Sequence, residues 1–176
     1  MNTKSTLRCG KRLSNLLPLS FALVAFNLLS SGLFAQTNFS GSWAFNQSKS
    51  VLGEGPMMSP TSMTVTQTAD IISTDAVQPS FDGSEMKMSN KYTLDGKESA
   101  NTGMMNSSVK TKVTWSDDKK ELRFANAIVF DMNGDKMEIK SNDAWRLSDD
   151  GKTLTVKSVS SSPMGDSNLT LVYDKK

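Results

Sequence analysis

The sequence contains no histidine and a single cysteine, Cys9. The missing histidine removes the commonest general base, the Ser-His-Asp arrangement and the usual transition-metal ligand. Cys9 precedes an apolar segment near the N terminus, so the rest of the chain has no thiol for a disulfide or a nucleophile. A Ser-Lys or carboxylate pair remains possible in principle, but no spacing favours one. We therefore expect no enzymatic activity, no catalytic residue and no cofactor.

Long hydrophobic runs are also lacking. The main apolar stretch, 16–29, is interrupted by Pro18 and Asn27, and a membrane-spanning helix needs about 20 apolar residues. Basic residues before this stretch and small residues after it follow the order of a secretory signal. We therefore predict a signal peptide over 1–35, cleaved after Ala35, and a mature protein in the periplasm or outside the cell. An uncleaved N-terminal membrane anchor is the alternative.

Positive charge is not concentrated in one part of the mature chain. The sequence has 20 Lys plus Arg and 18 Asp plus Glu. The predicted signal peptide removes four of the basic residues and leaves 16, so the mature part is slightly acidic. Its charges alternate in sign, without the block of Lys and Arg that a phosphate backbone attracts. Nucleic acid is therefore not an expected partner.

Apolar residues after position 35 recur at every second position between clusters of Gly, Asp, Asn, Ser and Pro, which is typical of half-buried strands in hairpins. The nine strands predicted in this way are centred on 39–45, 63–65, 71–77, 86–94, 109–115, 122–130, 137–147, 154–156 and 169–173. Their short connections make neighbouring strands antiparallel.

The fold class predicted from this pattern is all-β, with an antiparallel up-and-down meander closed into a barrel of about eight or nine strands over 36–176. Each strand has one apolar face and one polar face. Closure covers the apolar face and removes both sheet edges. A sandwich of two sheets is the alternative.

The stretch Phe39-Ser40-Gly41-Ser42-Trp43, followed by a long loop and a run of hairpins, resembles the Gly-x-Trp signature of lipocalin-like barrels. Together, 38–50 and 145–175 resemble a group of secreted bacterial lipocalin-like domain proteins. The resemblance implies a barrel with an apolar interior that holds a small apolar molecule. Lipocalins also carry an arginine near the last strand that packs on the first-strand tryptophan, and the last predicted strand here has none. We expect Trp43 to plug one barrel end rather than to contact a ligand.

Three polar residues interrupt the apolar inward face of neighbouring strands. Pairing the hairpins places Thr111 opposite Asn126 and Asn126 opposite Ser141, and Asp143 shares their inward parity. Buried polar groups are costly unless they are hydrogen bonded. The row therefore bonds within itself, holds water or meets a ligand. We predict that Thr111, Asn126 and Ser141 contribute to a ligand site, with a self-satisfied belt as the alternative.

Methionine is frequent, and six of the 11 fall in predicted loops or turns: Met57, Met58, Met104, Met105, Met132 and Met164. Counting alternate connections assigns the first two to one barrel end and the other four to the opposite end. The loop 46–60 can cover the end opposite the Trp43 plug, so we predict ligand entry beside Met57 and Met58. The acidic turns 116–118 and 148–150 are predicted to flank that same end, which slightly favours a cationic group on the ligand.

Met86 and Met88 on the fourth predicted strand complete the predicted ligand-binding set. Three functions remain possible. The first is a secreted, monomeric, non-catalytic barrel that binds a small apolar molecule. The second is a structural or interaction module whose barrel is filled by side chains. The third is a Cu(I) protein that uses thioether ligands, but no repeated Met cluster supports it, so we predict no metal site.

Overall fold

The computed structural model describes residues 35–53, 59–80, 82–131, 134–163 and 165–176, together with the backbone of Met132. The predicted signal peptide therefore lies outside the described residues, except for Ala35. Met57 and Met58 of the predicted ligand-binding set lie outside them as well. In the described part of the chain, no helix is both long enough and apolar enough to cross a membrane.

Ten strands form one antiparallel sheet. They are β1 (Gly41–Phe45), β2 (Ser62–Gln67), β3 (Ile71–Pro79), β4 (Glu85–Thr93), β5 (Glu98–Thr102), β6 (Ser108–Trp115), β7 (Glu121–Met132), β8 (Asp135–Leu147), β9 (Thr153–Ser162) and β10 (Gly165–Lys175). Short 3₁₀ turns cover Gln47–Lys49 and Met104–Asn106. The strand order is β4-β3-β2-β1-β10-β9-β8-β7-β6-β5. The all-β meander is confirmed, with ten strands instead of the predicted eight or nine.

The strand that the sequence pattern missed is β5. Its sequence, Glu-Ser-Ala-Asn-Thr, has no alternation of large apolar residues, so nothing local marks it as a strand. Its backbone pairs with β6, with Ala100 opposite Lys110. The strand conformation of β5 is therefore determined by its backbone pairing with β6 rather than by a pattern in its own side chains.

The extra strand changes which connections meet at each barrel end. Among the described residues, the mouth end contains 46–53, 59–61, 80, 82–84, 103–107, 134 and 163 from the connections, and the plug end contains 68–70, 94–97, 116–120 and 148–152. Met57, Met58 and Met164 lie outside the described residues. Met104 and Met105 lie at the same end as Ser59 and Pro60 of the first connection, so their predicted place at the opposite end is wrong. The acidic turns lie at the plug end, so their predicted place beside the entrance is wrong too. Both errors arise because one omitted strand reverses the direction of every later strand.

Side chains close the barrel between β4 and β5, where the backbones form no ladder. The Asn101 side chain accepts a hydrogen bond from Lys91 N at 2.9 Å and donates one to Lys91 O at 3.1 Å. Next to it, Thr93 N donates to Ser99 Oγ at 3.0 Å. The polar residues of β5 thus take the place of backbone partners and satisfy the edge of β4.

The plug end is closed by the segment before β1, which crosses it. Thr37 N donates to Lys119 O at 3.0 Å on the far side, and Gln67 Nε2 donates to Thr37 O at 3.0 Å. Phe39 N in turn donates to Gln67 Oε1 at 3.0 Å. These bonds hold the fully buried Phe39 ring 6.1 Å from the Trp115 ring. The segment therefore seals this end of the barrel.

Trp43 is fully buried in the same core, and its Nε1 donates to Phe39 O at 3.1 Å. Its predicted role as a core plug is confirmed. The Lys175 Nζ of β10 lies 5.4 Å from the centre of the Trp43 ring, which is cation–π range. In the last strand, a lysine rather than an arginine therefore lies over the tryptophan of the first strand.

Gly41 makes this arrangement possible. Its φ of +151° is a conformation that residues with a Cβ rarely adopt. A Cβ at this position would also come within 2.9 Å of Lys175 Cε. The Gly-x-Trp pattern thus has a physical basis, because the glycine permits the backbone conformation and the close passage of the Lys175 side chain.

Candidate functional site

The mouth half of the barrel encloses a cavity of about 360 Å³. Ser59, Pro60 and Met104 from the mouth connections belong to its wall, so the cavity extends to the mouth. Towards the plug end it is bounded by Trp145 and Val156. Small-molecule sites typically occupy about 300–1,000 Å³, so this cavity lies at the small end of that range.

The predicted polar row forms in one wall of this cavity. Thr111 lies opposite Asn126, and Asn126 lies opposite Ser141, so the predicted register is confirmed. Thr111 Oγ1 donates to Asn126 Oδ1 at 2.7 Å, and Asn126 Nδ2 donates to Ser141 Oγ at 3.0 Å. Thr111 is fully buried behind the wall, while Asn126 and Ser141 line the cavity.

Asp143 and Ser158 extend this row across two more strands. Asn126 Nδ2 also donates to Asp143 Oδ2 at 2.8 Å, and Ser158 Oγ donates to Asp143 Oδ1 at 2.5 Å. The ladders run through Asp143 without a bulge, with Ser158 as its direct partner on β9. Sequence reasoning missed Ser158, although its parity with the buried Leu154 and Val156 marks it as inward. We call Thr111, Asn126, Ser141, Asp143 and Ser158 the polar row.

The carboxylate of Asp143 dominates the electrostatics of the cavity. Burial raises the pKa of Asp143, and the hydrogen bonds from Ser158 and Asn126 oppose this shift. Burial also raises the pKa of Tyr92 to about 12, and the negative charge of Asp143 adds to this effect. Burial, and then the same charge, raise the pKa of Tyr173. Among the described residues that line the cavity, Asp143 is the one charged side chain and none is basic.

Several polar atoms of the cavity wall have no protein partner. Ser107 is 2% exposed, and its Oγ makes no hydrogen bond. A Cβ at Gly103 would lie 2.5 Å from this oxygen, so the glycine leaves the space that the hydroxyl occupies. The hydroxyls of Tyr92 and Tyr173 likewise make no hydrogen bond within the part of the chain that the structure describes. Unpaired polar groups of this kind are costly when buried and are available to a bound molecule.

Two adjacent methionines at the mouth have different surroundings. Met104 lines the cavity, whereas Met105 is 66% exposed. Met105 has φ 52° and Asn106 has φ 59°, and Ser107 N donates to Met104 O at 2.9 Å to close the turn. The two thioethers therefore do not share one environment, which argues against a common metal site at this pair.

The structure brings together only part of the predicted ligand-binding set. Met88, Asn126 and Ser141 line the cavity, and Thr111 supports Asn126 from behind. Met86 is half-buried and faces Gln78 on β3, without lining the cavity. No group of three or more His, Cys, Asp and Glu side chains that could hold a metal ion occurs among the residues described. The ligand-binding role of the set stays a prediction.

Comparison with known proteins supports the fold. The crystal structure of zebrafish ileal bile acid-binding protein in complex with cholic acid is similar to this chain, with a TM-score of 0.50 and 17% sequence identity. The similarity covers 78% of this chain and 98% of that chain. No family model matches this sequence, and no curated protein matches it. At this identity the likeness establishes a nearly closed, lipocalin-like barrel.

Proposed function

We propose that this protein binds a small apolar molecule inside its barrel and performs no catalysis. The observation that carries the proposal is the cavity of about 360 Å³ that extends to the mouth. Its wall combines apolar side chains with a few hydrogen-bonding groups, which is the usual composition of a small-molecule site. The similar zebrafish structure is itself a complex with a small molecule, cholic acid.

The proposal is favoured over a barrel filled by side chains. In the plug half, the inward residues Trp43, Leu122 and Leu154 are all fully buried and leave the interior packed. In the mouth half, some inward positions carry small polar residues such as Ser141 and Ser158, and space remains between the side chains. A barrel whose only task is structural has no need of an interior space of this size, because protein interiors are normally close-packed.

We also propose that the protein is exported and acts as a monomer outside the cytoplasm. The basic residues, the apolar stretch 16–29 and the small residues before Gln36 support export. N-terminal sequencing of the secreted protein should find a start at or near Gln36, and light scattering should give a monomer mass. A secreted form that retains 16–29 would contradict cleavage.

Ligand binding is tested with Nile red, an uncharged dye whose fluorescence increases in apolar surroundings. Val109→Trp places a large side chain in the cavity wall, whereas Lys110→Trp places the same side chain on the adjacent outward position. We expect the unmodified protein and Lys110→Trp to bind the dye and Val109→Trp to lose most of the binding. Urea unfolding of both variants controls for folding. Equal binding by the two variants would place the dye outside the cavity.

A further inference from the structure

We infer that the cavity takes an apolar molecule that carries one protonated amine, and that the Asp143 carboxylate receives this amine. This inference rests on the proposed function and names the chemistry of its ligand. It is carried by three features of the wall: a carboxylate without a basic partner, hydroxyl groups without protein partners, and aromatic rings in the same cavity.

The Asp143 carboxylate lacks the cation that a buried acid normally has. On the outer surface, Asp174 pairs with Lys49 at 2.9 Å and Glu121 pairs with Arg123 at 2.8 Å. Inside the cavity, no basic side chain occurs among the described lining residues. An ammonium group on the ligand would supply the missing positive charge.

The hydrogen bonds at Asp143 also fit this role. Both of them are donated to the carboxylate, one to each oxygen, by Ser158 and Asn126. An ionised carboxylate has about four acceptor positions, so each oxygen keeps capacity for another donor. A protonated amine has hydrogen-bond donors and no acceptor, so it can donate to the free acceptor positions of the Asp143 oxygens.

Aromatic side chains surround the position where the amine would lie. Trp145 is two residues from Asp143 on β8, so both side chains face the cavity. Tyr92 and Tyr173 reach the same cavity from β4 and β10. Aromatic faces attract ammonium groups within about 6 Å, and the two unpaired tyrosine oxygens can also accept hydrogen bonds from the amine.

The same features disfavour an anionic ligand. A carboxylate head group placed against the polar row would repel Asp143 and would find no basic partner among the described residues of the wall. The Asn126 amide cannot donate to such a head group, because its two N–H groups already donate to Ser141 and Asp143. An uncharged alcohol avoids the repulsion but gains no ionic attraction.

The test compares decylamine, decanol and decanoate as competitors of Nile red at pH 7.5, where the amine is protonated. The three molecules share one chain length and differ in the head group. With the unmodified protein, we expect decylamine to compete about tenfold more strongly than decanol, since a charge-assisted hydrogen bond is stronger than a neutral one. Decanoate should be the weakest competitor.

Asp143→Asn is the decisive variant, and Asp75→Asn is its matched control. Asp75 accepts a hydrogen bond from Ser89 of the neighbouring strand at 2.6 Å, as Asp143 does from Ser158, but it lies on the outer face. We expect Asp143→Asn to lose the preference for decylamine while still binding Nile red and decanol. Asp75→Asn should keep the preference.

The outcomes separate the two proposals. Failure of the unmodified protein to bind Nile red and all three competitors would contradict ligand binding itself. Binding of decanol or decanoate at least as strongly as decylamine would overturn the amine inference and leave the proposed function intact. A decylamine preference that survives in the folded Asp143→Asn variant would show that another group receives the amine.

Discussion

The plug half and the mouth half of the barrel are built from the same strands but differ in packing, because the plug half is filled by side chains and the mouth half contains a cavity. On β7, the inward residues Leu122 and Phe124 are buried in the plug-side core, and the next inward residue, Asn126, enters the polar row. On β8, Trp145 packs 4.8 Å from the Phe124 ring, while Asp143 and Ser141 line the cavity. The change from apolar to polar occurs at the same level on neighbouring strands.

This difference indicates how a small barrel combines stability with an internal space. Close packing around Trp43 and Phe39 supplies apolar burial, which is the main stabilising contribution in folding. The mouth half keeps the buried Asp143 carboxylate and the buried, unpaired Ser107 hydroxyl, each of which costs stability. We infer that the packed half compensates for the destabilising groups of the mouth half.

Removing the plug should have the largest effect on stability. Trp43→Ala deletes a fully buried ring and its hydrogen bond to Phe39 O, and we expect the free energy of unfolding to fall by about 3–5 kcal/mol. Met104→Ala at the mouth should cost about 1 kcal/mol or less. Urea unfolding followed by circular dichroism measures both. Equal losses would contradict the conclusion that the packed plug half supplies more of the stability than the mouth half.

Gly41→Ala tests the backbone conformation beneath the plug. Because φ is +151° at this position, we expect a loss of about 1–3 kcal/mol, measured by the same urea titration. Adding Lys175→Ala should recover little stability, since the contact with Lys175 Cε involves a flexible side chain that can move away. A full recovery would show that crowding, rather than the backbone conformation, requires glycine at this position.

Met105→Gly should stabilise the mouth end. Met105 has φ 52°, which is unfavourable for a residue with a Cβ, and its side chain is exposed. The relief of strain, reduced by the greater chain entropy of glycine, should raise the free energy of unfolding by about 0.5–1 kcal/mol. Met104→Gly should not stabilise, because Met104 contacts the cavity. Thermal unfolding of the two variants side by side provides the measurement.

The stability contributions of Asp143 in the mouth half and Asp150 at the plug end should change with pH in opposite directions. We expect this effect to be the smallest of those predicted here, because the hydrogen bonds from Ser158 and Asn126 oppose the pKa shift of Asp143. The folded-state pKa of Asp143 lies above the ordinary value of 3.8, so the folded protein holds this proton more tightly than the unfolded chain. Stability therefore falls as pH rises from 3.8 through the folded-state pKa. Asp143→Asn removes this loss, so the variant should gain stability relative to the unmodified protein across that window.

Asp150 at the plug end is the control with the reverse sign. The Ser148 hydroxyl and the Lys152 N–H lower the pKa of Asp150 below 3.8. The stability that the Asp150 carboxylate contributes is present above pH 3.8 and is lost as pH falls through the folded-state pKa. Asp150→Asn should therefore be less stable than the unmodified protein above pH 3.8, and the difference should disappear in acid. Urea midpoints between pH 3 and pH 7 measure both variants. A parallel pH response of the two would contradict the assignment for Asp143.

The hairpins explain why much of the fold could be predicted. All nine strands recognised from alternation are present, and the pairing of Thr111 with Asn126 and of Asn126 with Ser141 is as predicted. Short turns set the register of neighbouring strands, and a slip by one residue would move every apolar side chain outward. Local pattern therefore carries this information.

Other features depend on residues far apart in the chain. Strand β5 is recognisable only through its pairing with β6, and Lys175 meets Trp43 only because the last strand pairs with the first. The ends at which the methionine connections and the acidic turns lie were assigned by counting strands, so one strand without an apolar pattern altered the assignment of every later connection. No local signal could have corrected that count.

The sequence by itself determined which side chains of each recognised strand face inward, because the two-residue period of a β-strand is a local property. It also excluded histidine chemistry, because the sequence has no histidine, and thiol chemistry after Cys9, because Cys9 is its one cysteine. Only the tertiary structure decided that Met104 meets Ser59 and Pro60 at one mouth. It also decided that Asp143 lines one cavity with Tyr92, Tyr173 and Trp145 without a basic partner among the described lining residues. Closing the sheet brings β4, β8 and β10 around one space, and that proximity depends on the whole strand order rather than on any single segment.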